Sequence, residues 1–314
     1  MTTTPLFGYH MPNFSFPGVP PEALFDRVVE LAQAAEGAGF DLVTVMDHFY
    51  QIQIVAPETE PMLEAYATLA ALAPVTRRVH LGTLVSGVTY RNPALLAKTV
   101  TTLDTISHGR AVLGIGAAWN DSEHAGYGYE FPPIGLRMDR LGEALAIARR
   151  MFTEERPSYS GRYYRIERAL NVPRPLQPGG PKILVGGGGE QRTLRLAAEY
   201  ADLTHWFVPT PEEFTRKLGV LEGYCRAVGR DPASIVKTIG APVWLVRDAA
   251  EERAATERIP PARRSLMRPA APERAAEILR SFMRVGAQGF TFNNPNLDTP
   301  ELLDVAGRVK RLLG

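Results

Sequence analysis

Residues 80–120, HLGTLVSGVTYRNPALLAKTVTTLDTISHGRAVLGIGAAWN, decide the fold. They begin and end with short apolar runs bounded by glycine, His80 to Val85 and Ala111 to Gly116, which is typical of strands buried on both faces. Between these runs, Asn92 can cap a helix and Pro93 suits its first position, where a missing N–H costs nothing. The stretch therefore predicts a strand, loop, helix and strand of a parallel sheet.

The helix of this unit is predicted from Pro93 to Ser107. Gly109 follows it and can adopt the left-handed conformation that ends a helix. Apolar residues recur at helical spacing and predict one buried face, made of Leu95, Leu96, Val100, Leu103 and Ile106.

The same alternation of strand and helix continues along the whole chain. Strands are predicted at Leu6 to Tyr9, Leu42 to Met46, His80 to Val85, Ala111 to Gly116, Lys182 to Val185, Leu203 to Phe207, Ile235 to Thr238 and Gly289 to Asn293. Helices are predicted at Pro21 to Ala38, Glu64 to Thr76, Pro93 to Ser107, Leu136 to Thr153, Glu190 to Tyr200, Pro211 to Val228, Pro272 to Val285 and Pro300 to Leu313. Eight such pairs predict an α/β fold, a single (β/α)8 barrel over residues 1–314.

Two stretches do not fit the plain repeat and predict insertions. Residues 157–177 contain SGRYY and are expected to form a hairpin excursion. Residues 241–271 are rich in Arg and Pro and predict a long loop or a small insertion.

Composition limits the partners and the location. The chain has 314 residues, 45% of them hydrophobic, with 35 basic against 34 acidic residues, so no net field favours nucleic acid or an anionic membrane. Its one cysteine, Cys225, cannot form an internal disulfide. No signal peptide or long apolar stretch is visible. We expect a cytoplasmic protein that binds a small molecule, with neither nucleic acid nor membrane as partner.

In such a barrel, functional residues lie after the carboxyl ends of the strands. Asp47 and His48 directly follow the second strand. One interpretation is that Asp47 caps the next segment and that His48 is a satisfied polar residue. The other is catalytic, because an imidazole titrates near neutral pH and can relay a proton.

Four glycines, Gly186, Gly187, Gly188 and Gly189, follow the fifth strand and precede a helix predicted to open at Glu190. Backbone N–H groups of glycine can approach a ligand closely, and a helix N-terminus favours an anion. The alternative is a flexible turn between strand and helix.

The glycines Gly114 and Gly116 do not make a dinucleotide fingerprint, because a third glycine is absent and no helix starts at once. A Rossmann fold is rejected. His124 is interpreted as a capping or structural residue, and with no His/Cys cluster we predict no metal site.

Aromatic residues near the first strand leave two interpretations open: they wall a pocket or close the barrel. They are Phe7, Tyr9, His10, Phe14 and Phe16. Arg91, close to the mouth of the third strand, either meets an anionic ligand or is simply solvated.

The chain resembles the luciferase-like flavin and deazaflavin oxidoreductases. The motifs that carry the resemblance are GFDLVTVMDHF (39–49), GTLV (82–85), RNPALLAK (91–98), LDTISHGR (103–110), GIGAAWN (114–120), EFPPIGLRMDRLGEAL (130–145) and ILVGGGGEQRTL (183–194). They cover about the first two thirds of the chain.

The resemblance implies coenzyme F420, a deazaflavin, as cofactor, and hydride transfer to or from an organic substrate. His48 would lie beside the reactive carbon, with Asp47 on the cofactor. A non-proline cis peptide would join Leu84 and Val85 behind the ring. Cofactor contacts are further assigned to Gly116, Ala117, Arg91 and the four glycines 186–189, and substrate contacts to His10, Phe14 and Trp119.

Two other functions stay open: an FMN-dependent monooxygenase on the same barrel, and a flavin-binding protein without turnover. The sugar-phosphate dehydrogenase branch of the family carries an acidic residue about where Trp119 stands. This departure argues against glucose 6-phosphate as substrate and favours reduction of an apolar unsaturated one. By analogy with the family, a homodimer is expected.

Overall fold

The computed structural model describes residues 4–259, 268–294 and 296–314. The strands are β1 (Leu6–Met11), β2 (Leu42–Val45), β3 (His80–Thr83), β4 (Ser86–Gly87), β5 (Ala111–Gly116), β6 (Tyr159–Ser160), β7 (Arg165–Ile166), β8 (Lys182–Gly186), β9 (Leu203–Trp206), β10 (Val236–Gly240), β11 (Trp244–Leu245), β12 (Pro269–Ala270) and β13 (Gly289–Phe292). The main sheet runs β3, β2, β1, β13, β10, β9, β8, β5, β4, with every pairing parallel. A pairing of β3 with β5 closes it into a barrel. The predicted (β/α)8 barrel is confirmed.

Helices surround the barrel. They are α1 (Leu24–Gly37), α2 (Ala65–Leu72), α3 (Pro93–Ile106), α4 (Asp121–Tyr127), α5 (Ile134–Thr153), α6 (Thr193–Tyr200), α7 (Pro211–Ala227), α8 (Ala249–Arg258), α9 (Pro272–Met283) and α10 (Pro300–Leu313). Asn92 caps α3 as predicted, since its side chain accepts from the amide of Ala94 at 2.9 Å. Gly109 follows α3 with φ +84°. Local capping chemistry therefore places this helix correctly.

Three predicted details are wrong. The strand expected from His80 to Val85 stops at Thr83, because a cis peptide joins Leu84 to Val85 before β4. The helix expected at Glu190 begins at Thr193. Leu95 and Ile106, assigned to the buried face of α3, lie at its edge and are exposed, whereas Leu96, Val100 and Leu103 are buried.

The predicted insertions are present. The hairpin in residues 157–177 is the antiparallel pair β6 and β7. The segment 241–271 contains a parallel pair, β11 and β12, and α8; its residues 260–267 lie outside the described ones. Helix α4 was not predicted, although Asp121 and Glu123 in its first turn and Gly128 after it, with φ +71°, are ordinary helix-end signals.

The core has two parts. The larger lies between the barrel and its helices; the smaller fills the barrel interior with Leu42, Val112, Leu184 and Leu203. Because side chains alternate along a strand, His205 of β9 points inward like Leu203. This alternation aims His205 at the carboxyl end of the barrel, where the loops meet.

Within the described part of the chain, no helix combines the length and the apolarity needed to cross a bilayer.

Candidate active site

A cavity of about 670 Å³ opens at the carboxyl ends of the strands. This volume lies within the range of small-molecule sites. Its walls come mainly from the loops after β2, β3, β4, β5, β8 and β9 and from the start of α5. The lining residues are Asp47, His48, Leu84, Val85, Gly87, Tyr90, Gly116, Ala117, Ala118, Trp119, Ile134, Met138, Gly186, Gly187, Gly189, Glu190, Gln191, Arg192, Thr193, His205 and Phe207.

One wall is built around a histidine and a buried carboxylate. His48 follows β2, and its Nδ1 lies 2.7 Å from Oε2 of Glu123 on α4. Glu123 is fully buried and also accepts from the Phe49 amide at 2.5 Å, the Tyr50 amide at 3.0 Å and the Tyr90 hydroxyl at 2.9 Å. Four donors thus converge on one carboxylate and hold the imidazole in a single orientation.

These contacts also determine where the proton of His48 lies. Burial raises the pKa of Glu123, but the hydrogen bonds from His48, Tyr50 and Phe49 lower it more, so that the net pKa is below its ordinary value. An ionised carboxylate only accepts hydrogen bonds, so Nδ1 of His48 carries a proton. In the neutral imidazole, Nε2 is then a free acceptor.

Asp47 lies beside this pair and is held by arginine. The guanidinium of Arg91 donates to both Asp47 oxygens, at 2.6 and 3.0 Å, and to Glu64 at 2.5 Å. Burial raises the pKa of Asp47, and the charge of Arg91 opposes that shift. Arg91 is therefore already paired with two carboxylates. We call these residues the polar wall: Asp47, His48 and Tyr90, which line the cavity, with Arg91 and Glu123 behind them.

A second wall of the cavity depends on missing side chains. The cis peptide predicted between Leu84 and Val85 is present. The methyl groups of Val85 lie so close to two glycines that a Cβ atom on Gly116 would come within 2.9 Å of them, and one on Gly186 within 2.8 Å. Glycine is required at both positions for Val85 to occupy this place. We call Val85, Gly116 and Gly186 to Gly189 the glycine wall.

In the loop after β8, only some of the backbone amides form hydrogen bonds to the described part of the protein. The amide of Gly187 donates to the carbonyl of His205 at 3.0 Å, and Gly187 has φ +109°. Among the described residues, the amides of Gly188 and Gly189 have no partner. Lys217 is nearby and donates to the carbonyl of Gly188 at 2.8 Å. The ammonium also lies 3.6 Å from a carboxylate oxygen of Glu190, so it is the free amides that favour an anionic group here.

Two histidines are buried in this part of the barrel: His205 lines the cavity, and His10 on β1 does not. Nδ1 of His205 lies 3.0 Å from the Thr238 hydroxyl, and Nδ1 of His10 lies 3.0 Å from the Thr44 hydroxyl. Burial lowers the pKa of His205 to about 4. Burial, with repulsion from His205 and His48, lowers the pKa of His10 to about 3. Both imidazoles are neutral at physiological pH.

Trp119 forms the rim beside His48, with ring centroids 5.4 Å apart. Its loop is held from below, because Arg137 donates to the carbonyl of Ala117 at 3.2 Å and to that of Ala118. Ala118 has φ +59°, a conformation uncommon outside glycine. The exposed indole is thus placed by a backbone anchored on α5.

Comparison with known proteins identifies the family. The family model of the luciferase-like monooxygenases matches residues 6–307. The chain belongs to this family. It is 30% identical over 322 residues to an F420-dependent glucose-6-phosphate dehydrogenase of Nocardia farcinica, covering 90% of this chain and 92% of that protein.

Among solved structures, a similar one is an F420-dependent secondary alcohol dehydrogenase in complex with an F420-acetone adduct. Its TM-score is 0.79 at 20% identity, with 99% of this chain and all of that one covered. A long-chain alkane monooxygenase has a TM-score of 0.83 at 15% identity, covering all of this chain and 92% of that one. These two likenesses concern the fold alone. The predicted family and the prediction of an enzyme are confirmed.

The luciferase-like barrel brings most predicted site residues into one cavity. Those that line it are Asp47, His48, Leu84, Val85, Gly116, Ala117, Trp119, Gly186, Gly187 and Gly189. Gly188, Arg91, His10 and Phe14 are not among its lining residues, and Phe14 is packed in the core at 1% exposure. The structure does not test the roles assigned to these residues, which stay predictions.

Two important residues were missed from sequence. Glu123 was noted only as the neighbour of His124, and no sequence signal connects it to a histidine 75 positions earlier. His124 itself is structural: its nitrogens contact the Asn120 carbonyl at 2.6 Å and the Thr89 hydroxyl at 2.7 Å. His205 could have been suspected from its inward position on a predicted strand. Among the described residues, no three potential metal ligands converge.

Proposed function

We propose that this enzyme binds coenzyme F420 and transfers a hydride between the deazaflavin and a small organic substrate. The observation that carries the proposal is the His48–Glu123 pair, whose histidine lines the same cavity as the glycine wall. The F420-dependent relative from Nocardia farcinica, similar over almost the whole chain, supports the choice of cofactor.

The glycine wall fits a flat ring and an anionic tail. Leu84 and Val85 present apolar surface to the cavity, and Gly116 and Gly186 leave no side chain beside it. The amide of Gly189, which lines the cavity and has no partner among the described residues, can meet an anion. When bound, F420 supplies a ring that carries hydride as a two-electron unit and does not readily activate oxygen.

The chain itself contributes position, a proton site and exclusion of water. Glu123 holds the imidazole of His48 with Nε2 free, so that His48 can take a proton from an alcohol or, when protonated, return one to a carbonyl. Trp119 covers His48 at the rim and limits access of water. Asp47 is fixed by Arg91 in the same wall, where it can contact the cofactor.

For the substrate, we propose a largely apolar molecule other than glucose 6-phosphate. Ala117, Trp119 and Phe207 give the cavity an apolar lining. Its arginine, Arg192, is paired with Asp139 and is not free for a phosphate. We further propose that residues 1–314 act as one domain, since the barrel closes from β1 to β13.

Titration with F420 and with FMN tests the cofactor. We expect F420 to bind at least about tenfold more tightly, a difference of about 1.4 kcal/mol. Reduced F420 should then lose its hydride to an accepted substrate without consumption of oxygen. Tighter FMN binding with oxygen-dependent product would instead identify a monooxygenase, and cofactor binding without any turnover would identify a binding protein.

A further inference from the structure

We propose that His205 recognises the substrate, with its Nε2 atom accepting a hydrogen bond from a substrate hydroxyl group. The inference rests on the proposed function and names the substrate class more closely: an otherwise apolar molecule that bears a hydroxyl.

The hydrogen bonds of Thr238 determine the tautomer of His205. The Thr238 hydroxyl lies 2.7 Å from the carbonyl oxygen of Thr204 and 3.0 Å from Nδ1 of His205. A carbonyl can only accept, so the single hydroxyl proton of Thr238 points at Thr204. Nδ1 of His205 must then donate to Thr238. In the neutral imidazole, Nε2 is left with a lone pair and no proton.

This lone pair is buried at the cavity without a donor. His205 is 2% exposed and lines the cavity, and among the described residues its Nε2 has no hydrogen-bond partner. Phe207 packs against the ring with centroids 5.2 Å apart, and Gly240 adds no side chain beside Nε2. A buried acceptor without a donor costs free energy, which a ligand that supplies the donor recovers.

The same argument selects the chemistry of the ligand. A hydroxyl can donate to Nε2 of His205, whereas a ketone or ether oxygen has only lone pairs to offer and would be repelled. Nε2 of His48, which has no hydrogen-bond partner among the described residues, can accept as well. With the apolar lining of Ala117, Trp119 and Phe207, these two acceptors favour a hydroxyl on an apolar frame.

The tautomer can be read directly by ¹⁵N NMR of histidine-labelled protein, with the His205→Phe variant used for assignment. We expect the signals of His205 to show a protonated Nδ1 and an unprotonated Nε2 in the protein alone. A protonated Nε2 would overturn the inference. This measurement needs neither cofactor nor turnover, so it is independent of the proposed function.

Recognition can be tested with cyclohexanol and cyclohexanone, which share a shape but differ in the donor. We expect cyclohexanol to bind about threefold to tenfold more tightly and to shift the Nε2 signal of His205, and His205→Phe to lose this preference. His80→Phe is the matched control, because His80 is another largely buried histidine but lies at the start of β3, away from the cavity, and should keep the preference. Equal binding of the two probes, including none of either, would overturn the inference.

Thr238→Val provides a variant that keeps the imidazole and the cavity. It removes the hydroxyl that holds the proton on Nδ1, so we expect a protonated Nε2 to appear and the preference for the alcohol to shrink. Unchanged preference would contradict the inference.

The F420 affinity of His205→Phe shows whether the substrate or the cofactor donates to Nε2. We expect this variant to bind F420 as tightly as the parent protein does. A loss of F420 affinity with the alcohol preference retained would assign Nε2 to the cofactor and overturn the inference. If F420 fails to bind the parent protein, the proposed function fails while the tautomer and the probe preference remain measurable.

Discussion

The two walls of the cavity are built by opposite means. The polar wall is crowded with charge, and the Glu123 carboxylate alone accepts four hydrogen bonds. The glycine wall has almost no side chains, since Val85 occupies the space that Cβ atoms at Gly116 and Gly186 would need. A reacting group must be held in one orientation, whereas a flat ligand needs a surface that nothing interrupts. We therefore expect substitutions of His48 and Glu123 in the polar wall to affect chemistry and folding, and those in the glycine wall to affect cofactor binding.

The largest effect is expected from His48→Ala. Turnover of an accepted substrate should fall about 100-fold or more, because the proton site is lost, while F420 affinity stays within a few fold. Steady-state kinetics and F420 fluorescence titration measure the two quantities separately. Asp47→Ala should show the reverse pattern, with weaker cofactor binding as the main defect. Turnover of His48→Ala at the parent rate would remove the catalytic assignment.

Glu123→Gln should reduce the free energy of unfolding by about 2 to 3 kcal/mol, because donors that now meet a carboxylate would face an amide. Denaturant unfolding measures the difference. Glu130→Gln is the matched control: Glu130 is largely exposed and pairs with Arg140, so its loss should cost less than about 1 kcal/mol. Equal effects of the two changes would mean that the polar wall is not held by Glu123.

The burial of His205 should affect how the free energy of unfolding depends on pH. The pKa of His205 is about 4 in the fold against 6.5 unfolded, so its contribution is present above pH 6.5 and is lost as pH falls toward 4. Between pH 7 and pH 5 the parent protein should lose about 2 kcal/mol more than His205→Phe. His10 titrates in the same direction but is present in both proteins. Parallel stability curves would contradict a buried neutral His205.

Gly186→Ala should weaken F420 binding about tenfold, or about 1.4 kcal/mol, because the new Cβ would displace Val85. Gly219→Ala is the control: a Cβ there meets nothing within 4 Å, and in the middle of α7 it should raise stability by about 0.5 to 1 kcal/mol. Unchanged F420 affinity in Gly186→Ala would show that the glycine wall does not hold the cofactor.

Local sequence determined most of the barrel, because capping and periodicity act within one helix or strand. Asn92 begins α3 and Gly109 follows its end as their chemistry requires. The same local logic placed Asp47 and His48 at the carboxyl end of a strand, where the cavity opens. Local sequence does not predict burial where it depends on the neighbouring elements. Leu95 has the helical spacing of a core residue, but the packing leaves its side chain exposed.

Only the tertiary structure determined which polar side chains form hydrogen bonds with each other. Glu123 reaches His48 across 75 positions, and Thr238 sets the proton of His205 across 33. Arg91, whose interpretations from sequence were an anionic ligand or plain solvation, pairs with Asp47 and Glu64. Periodicity in a sequence reports which face of an element is buried, but hydrogen-bond partners depend on distances between elements. The sequence by itself therefore determined the barrel, the family and the end that carries the site, and the fold decided the protonation and orientation of the groups within it.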